Sequence, residues 1–228
     1  MWVMRKQPIR VAALTVVALL ATSAPAGAEM VEIGKIESNI KPGCPAIATC
    51  FAVGRTTGYQ TRVGSSTGTV LARKSGRIVA WTIALGDPTK KQISFFDAKL
   101  GEGSKAQITV LRRSTNKKKK TTWVTVAQGE SRNLEPYFGK TVTFALTRSI
   151  PIKKDQLVAL TIPTWAPALA NGLSTDVSWR ASRTKAQCED NQGQTAQTDL
   201  NKASVYDCLY KGARLTYSAY MIPTPSSR

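Results

Sequence analysis

The chain contains no histidine among its 228 residues, and that absence sorts the chemistry open to it. Ser-His-Asp and Cys-His nucleophile pairs, a histidine general base and the histidine-bearing catalytic zinc sites are all removed. What remains are carboxylates, arginines, tyrosines and lysines. A glycosidase needs two carboxyl groups flanking a sugar bond, and 14 acids are present. Yet Asp87 before Pro88, Asp155 in KKDQ and Asp176 in STDV each stand singly in turn-like contexts, where Asp bonds to nearby backbone and bends the chain. A lyase for acidic polysaccharides needs a basic groove that neutralises a uronate carboxylate and a tyrosine that relays protons, and Arg and Tyr are available for both roles.

Metal and phosphate chemistry has less support. Glu189, Asp190 and Asn191 lie near Gly193 in EDNQGQT, but the stretch lacks the ligand at the twelfth position of an EF-hand loop. The cysteine spacings are not those of a paired C-x-x-C zinc site. No glycine-rich loop follows a strand and opens a helix, so no cofactor is expected.

Binding chemistry has two candidates. The stretch RRSTNKKKK places Arg112, Arg113, Lys117, Lys118, Lys119 and Lys120 within nine positions and no acid among them. Ala106, Ile108 and Val110 before it and Val124 and Val126 after it alternate as core-facing strand positions, so Ser114 to Lys120 is their connection. Lysines at a hairpin tip keep like charges in water and blunt edge association. The same charges attract anionic envelope polymer, acidic glycan or lipid headgroups, and nucleic acid only nonspecifically, through a salt-sensitive attraction. The other candidate is aromatic. Trp165, in the Pro-flanked stretch IPTWAPALANG, is expected on a loop as either a ligand contact or a plug against the end of the sheet. Trp81 shares the parity of Ile83 and Leu85 and is expected in the core; Trp123 has the opposite parity to Val124 and is expected on an outer face or under a neighbouring loop.

These side chains need a scaffold, and the N-terminus indicates where it works. Arg5, Lys6 and Arg10 precede an apolar run from Val11 to Ala21, and Ala26-Gly27-Ala28 has the small-x-small form of a cleavage site. Residues 1–28 therefore read as a signal peptide, and no later stretch is long and apolar enough for a membrane helix. Cleavage leaves 200 residues and lowers the formal charge from +18 to +15, which suits one domain. Cys44 and Cys50, and Cys188 and Cys208, all lie in the exported part, where disulfides persist; the two local pairings are favoured among the three connectivities.

About ten runs read as strands, TVTFALT being the clearest alternation, with turn residues between them and no sustained helical stripe. KQISFFDAKL is counted among these strands. The fold class expected is all-β, an antiparallel sandwich of jelly-roll type, with a closed barrel as the competitor. Residues 29–43 are expected as an irregular leader, 44–222 as the sandwich, 189–204 as a long loop closed by Cys188 and Cys208, and 223–228 as a disordered tail.

The phrases PIKKDQLVALTIP, WRASRTKAQCED and YDCLYKGARLTYSAY resemble exported bacterial all-β proteins of unknown function, over roughly residues 76–222. The resemblance implies a sandwich and export and brings no catalytic or ligand residues. YFGK, Tyr137 to Lys140, departs from the Tyr-x-Lys-Ala-Gly phrase of jelly-roll alginate lyases and reads as a turn. The expectation is thus an exported noncatalytic binding or structural protein, with a polysaccharide lyase as the alternative.

Overall fold

The computed structural model describes residues 29–44, 49–115, 121–189 and 196–225. Fifteen strands and one α-helix follow in chain order: β1 Val31–Ile33, β2 Val53–Val63, β3 Ser66–Thr67, β4 Gly76–Ala84, α1 Lys90–Leu100, β5 Lys105–Arg113, β6 Thr122–Gln128, β7 Arg132–Asn133, β8 Thr141–Ile152, β9 Leu157–Ala166, β10 Leu169–Asn171, β11 Ser178–Ala181, β12 Ala203–Val205, β13 Cys208–Lys211, β14 Ala213–Leu215 and β15 Tyr217–Pro223. All strand pairs are antiparallel. One sheet runs β1-β15-β4-β8, the larger runs β12-β6-β5-β9-β2-β11-β13, and β10-β14 forms a separate ribbon.

Eight strands make the frame. If β1, β2, β4, β5, β6, β8, β9 and β15 are counted one to eight, the sheets read 1-8-3-6 and 2-7-4-5, the two interlocked Greek keys of a jelly roll. The expected fold class stands. Between the sheets Trp81, Ile83, Ile108, Val110, Val158, Leu160 and Tyr217 are buried. Trp81 stacks obliquely on Phe144 with ring centroids 5.0 Å apart. A register shift between Ile78 and Ala80 lets Ile78 point inward where strict alternation favours Val79, as a β-bulge does.

The larger sheet is curled, and chain length shows why it must be. Seven strands at about 4.8 Å spacing span roughly 29 Å if flat. Val205 ends β12 on one edge and Cys208 begins β13 on the other. Three Cα steps cover at most about 11 Å, so the edges come together and the sheet forms a half-barrel. The expectation of a sandwich with a barrel as rival thus resolves into a sandwich, one wall of which curls.

Two expectations are corrected. KQISFFDAKL is α1, not a strand. Thr89 caps it through a reciprocal box with Gln92, in which Gln92 N donates to Thr89 Oγ1 and Thr89 N donates to Gln92 Oε1. Once helical, Ile93, Phe96 and Leu100 fall on one side, although only Phe96 is buried. Residues 29–43 are not wholly irregular either. They supply β1, which pairs with β15, and buried Arg214 donates to the Glu37 carboxylate and to the Gly34 and Lys35 carbonyls. The local disulfides form as expected, Cys44–Cys50 and Cys188–Cys208. Among the described residues no helix is long and apolar enough to cross a membrane.

Candidate functional site

Antiparallel pairing gathers basic turns that lie far apart in sequence. Gly76 at the start of β4 faces Ile152 at the end of β8, and Leu111 near the end of β5 faces Leu157 at the start of β9. The Arg62 end of β2 lies beside them, held by the Gly68 N–H donating to the Thr61 carbonyl and by the Leu71–Leu157 bridge. Lys154 N donates to Ser75 Oγ at 3.1 Å, and Arg77 donates to Ser149 Oγ and to the Ser149 carbonyl, both at 2.6 Å. Nine exposed bases, Arg62, Arg73, Lys74, Arg77, Arg112, Arg113, Arg148, Lys153 and Lys154, therefore share one end of the sandwich. The acids described at this end are Asp155, Asp176 and Asp207 in its turns and Glu29 and Glu32 beside the end of β15. None of the nine bases forms an ion pair with a described residue; the ion pairs among the described residues are Arg132–Glu130, Lys202–Asp199 and Arg214–Glu37.

Of the sequence candidates, Arg112 and Arg113 belong to this end. They close β5, and Ser114 N donates to the Thr122 carbonyl at 3.0 Å, so the hairpin is placed as expected. Lys117 to Lys120 lie outside the described residues. The other seven bases were not singled out in the sequence. Six of them lie in ARKSGR and TRSIPIKKDQ, two basic turns, and Arg62 stands alone in YQTRVG, but nothing local says that they meet.

Trp165 lies elsewhere, and its expected loop placement is corrected. It sits within β9 at the opposite end and is 0% exposed. Its Nε1–H donates to Asp97 Oδ1 at 2.8 Å, and its ring lies 5.0 Å from Phe96 and 5.6 Å from Phe138. Of the two roles open to it, the plug is the one the geometry fits. Tyr137 and Lys140 form the short turn into β8, with Lys140 N donating to the Tyr137 carbonyl.

The concave face of the half-barrel is the natural place to seek a lyase constellation. Register puts Thr57 of β2, Thr161 of β9 and Gln107 of β5 in one row, with Tyr59, Arg180 and Thr109 on the same face. A hydroxyl chain runs across it: Thr57 Oγ1 to Thr161 Oγ1 at 2.8 Å and Thr109 Oγ1 to Thr161 Oγ1 at 2.6 Å. This face is filled by the protein itself. The segment 196–207, just before Cys208, crosses it, with Gln197 N donating to Thr57 Oγ1, Asn201 N to the Thr125 carbonyl and Tyr206 N to the Thr121 carbonyl. Trp123, under this segment as one of its two expected placements had it, donates from Nε1 to Tyr59 Oη at 3.0 Å. Tyr206 packs against Tyr59 at 5.5 Å. Burial is the main cause that raises the pKa of Tyr59 and of Tyr206, so both hydroxyls hold their protons.

The clefts open among the described residues include two of more than 400 Å³. One, of about 480 Å³, lies between β1 and the β3 turn and is flanked by Arg73 and Lys74. The other, of about 440 Å³, lies against the stacked Trp179 and Tyr210 rings, 4.7 Å apart, with Phe51 and Asn171 on its walls. Asp190 to Gly193 of the calcium-like stretch lie outside the described residues. Among the described residues no group of three His, Cys, Asp or Glu side chains is placed to hold a metal ion. No family model matches the chain, and neither a curated protein nor a solved structure does.

Proposed function

We propose that the protein is exported and acts outside the cytoplasm as a noncatalytic binding or structural module, contacting an anionic envelope polymer or acidic glycan through its cationic end. The observation that carries this reading is the gathering of nine exposed bases at one end of the fold, none of them in an ion pair with a described residue. Like charges so arranged repel one another, and an end that only had to stay in water would be as well served by mixed charge. A polyanion laid across it exchanges condensed counterions for fixed bases. Export is supported by the basic, apolar and small-residue order of residues 1–28 and by two disulfides, which suit an oxidising compartment.

The alternative, a lyase on acidic glycans, draws on Tyr59, Arg180 and Gln107 sharing one face. It fares less well because that face is occupied and Tyr59 Oη already accepts from Trp123. One assay addresses both readings. The cleaved protein, beginning at Glu29, is passed over immobilised polygalacturonate and over a neutral glucan, and the eluate is monitored for unsaturated uronate. Retention on the acidic resin alone, released by salt and without product, is expected. Equal retention on both resins, or none on either, overturns the proposal; product formation transfers it to the lyase.

A further inference from the structure

The cationic end explains attraction to a polyanion but leaves the 480 Å³ cleft beside it without a role. Its volume falls in the range of small-molecule sites, roughly 300–1,000 Å³. Val31 and Ile33 of β1, Leu71, and Met221 of β15 give it an apolar floor, while Ser66, Thr67 and Thr69 bring hydroxyls to one wall. Arg73 and Lys74 stand exposed at its rim. Thr69 Oγ1 is buried and has no hydrogen-bond partner. It is one of several such atoms among the described residues, and the one that belongs to the wall of this cleft, where a water or ligand group would satisfy it.

We infer that this cleft seats one acidic sugar unit of the polymer: the C–H face of the ring lies on Leu71 and Met221, its hydroxyls meet Thr67 and Thr69, and its carboxylate meets Arg73 and Lys74. The inference rests on the proposed polymer-binding role and names the unit recognised. Each half of the cleft excludes something. A neutral sugar leaves Arg73 and Lys74 without an anion, and an inorganic anion leaves the apolar floor uncovered. The guanidinium of Arg73 suits a carboxylate because its planar donors match the two oxygens. Glu32 also lines the cleft; its Oε1 accepts from Ser218 Oγ at 2.7 Å, and it forms no ion pair with Arg73 or Lys74. In this arrangement the cleft confers selectivity and the remaining bases supply salt-dependent attraction along the chain.

The test separates the two parts. Trigalacturonate and maltotriose are titrated into the cleaved protein by calorimetry, alongside polygalacturonate retention, with three variants whose folding is checked by circular dichroism and thermal melting. Trigalacturonate is expected to bind and maltotriose not to. Thr69→Val is expected to weaken trigalacturonate about fivefold without altering the salt dependence, and Arg73→Gln with Lys74→Gln to weaken it at least tenfold. Lys153→Gln with Lys154→Gln is expected to lower polymer retention while leaving trigalacturonate within twofold. Polymer retention without trigalacturonate binding overturns the cleft and keeps the cationic-end reading. Trigalacturonate binding that ignores both Thr69→Val and the Arg73/Lys74 pair places the unit elsewhere and likewise overturns it. Loss of both binding activities in the unaltered protein removes the two readings together.

Discussion

The two ends of the sandwich are built from the same strands and solve opposite problems. At the far end β9 delivers Trp165 beneath α1, where Phe96, Phe138 and Asp97 close around it. Leu100 lies so close over Gly54 that an added Cβ would meet it at 2.7 Å. Bases there are interspersed with acids, Lys90, Lys99 and Lys105 with Asp87, Asp97 and Glu135. At the near end β9 begins after the turn that carries Lys153 and Lys154, and among the described residues no helix covers the bases gathered there, where Arg113 alone lies over a large ring, that of Trp123, 5.0 Å from its centroid. One end is invested in stability and the other in exposed charge, which teaches that the net charge of this chain is a local property of one surface.

Four substitutions or conditions sharpen that contrast, beginning with the most damaging. Trp165→Ala removes a fully buried ring and a hydrogen bond, and is expected to cost about 3–5 kcal/mol in chemical denaturation. A loss under 1 kcal/mol would show that the far end is not a packed closure. Replacing Cys188 and Cys208 together by Ser is expected to cost about 3 kcal/mol, because the closed loop no longer restricts the unfolded chain. Limited proteolysis of that variant should cut first between residues 189 and 204; first cleavage at the cationic turns would count against the strap as the weak point.

Alkali is the third probe. Burial raises the hydroxyl pKa of Tyr59, Tyr206 and Tyr217 above the value of about 10 in the unfolded chain. The unfolded state then loses those protons first as pH rises. Their contribution is complete below about pH 10 and falls away as pH climbs from there through the folded values, by about 1.4 kcal/mol per pH unit for each tyrosine. Denaturant midpoints measured from about pH 8 to pH 11 check this, and a flat profile would mean that the tyrosines are open to water. Least costly of all should be the near end. Changing Lys117 to Lys120 to Ser, or Arg73, Lys74, Lys153 and Lys154 to Ser, is expected to leave unfolding free energy within about 1 kcal/mol, since the latter four are exposed and the lysine run reads from sequence as a hairpin tip. A collapse in either variant would dissolve the contrast between the ends.

Much of the frame was legible in sequence because a half-buried strand must alternate. TVTFALT, the β5–β6 hairpin and both disulfides follow from local pattern and short separation. The helix escaped because its apolar residues are few: α1 rests on Phe96, and FFDAKL reads equally as a strand. Its clearest signal was Thr89 three places before Gln92, a capping box directly after Pro88. Trp165 was read as a loop residue because Pro163 and Pro167 flank it, yet β9 runs through Pro163 to Ala166. The cationic end was legible only in pieces. Arg112 and Arg113 stood out as a dense run, whereas Arg77 and Arg148 became neighbours through the pairing of β4 with β8, which no single window contains.

The pairing of β1 with β15 has a consequence for how the molecule is made. Val31 sits opposite Met221, so the first strand has no partner until almost the last residue has arrived. A chain delivered N-terminus first therefore carries β1 as an unpaired edge through its synthesis. Final closure of that sheet becomes a late, whole-chain event of the slow kind that distant strand pairing imposes. Termination after Cys208 but before β15 leaves β1 without a partner and one edge of β4 open, its other edge held by β8, on a product that already carries all four cysteines.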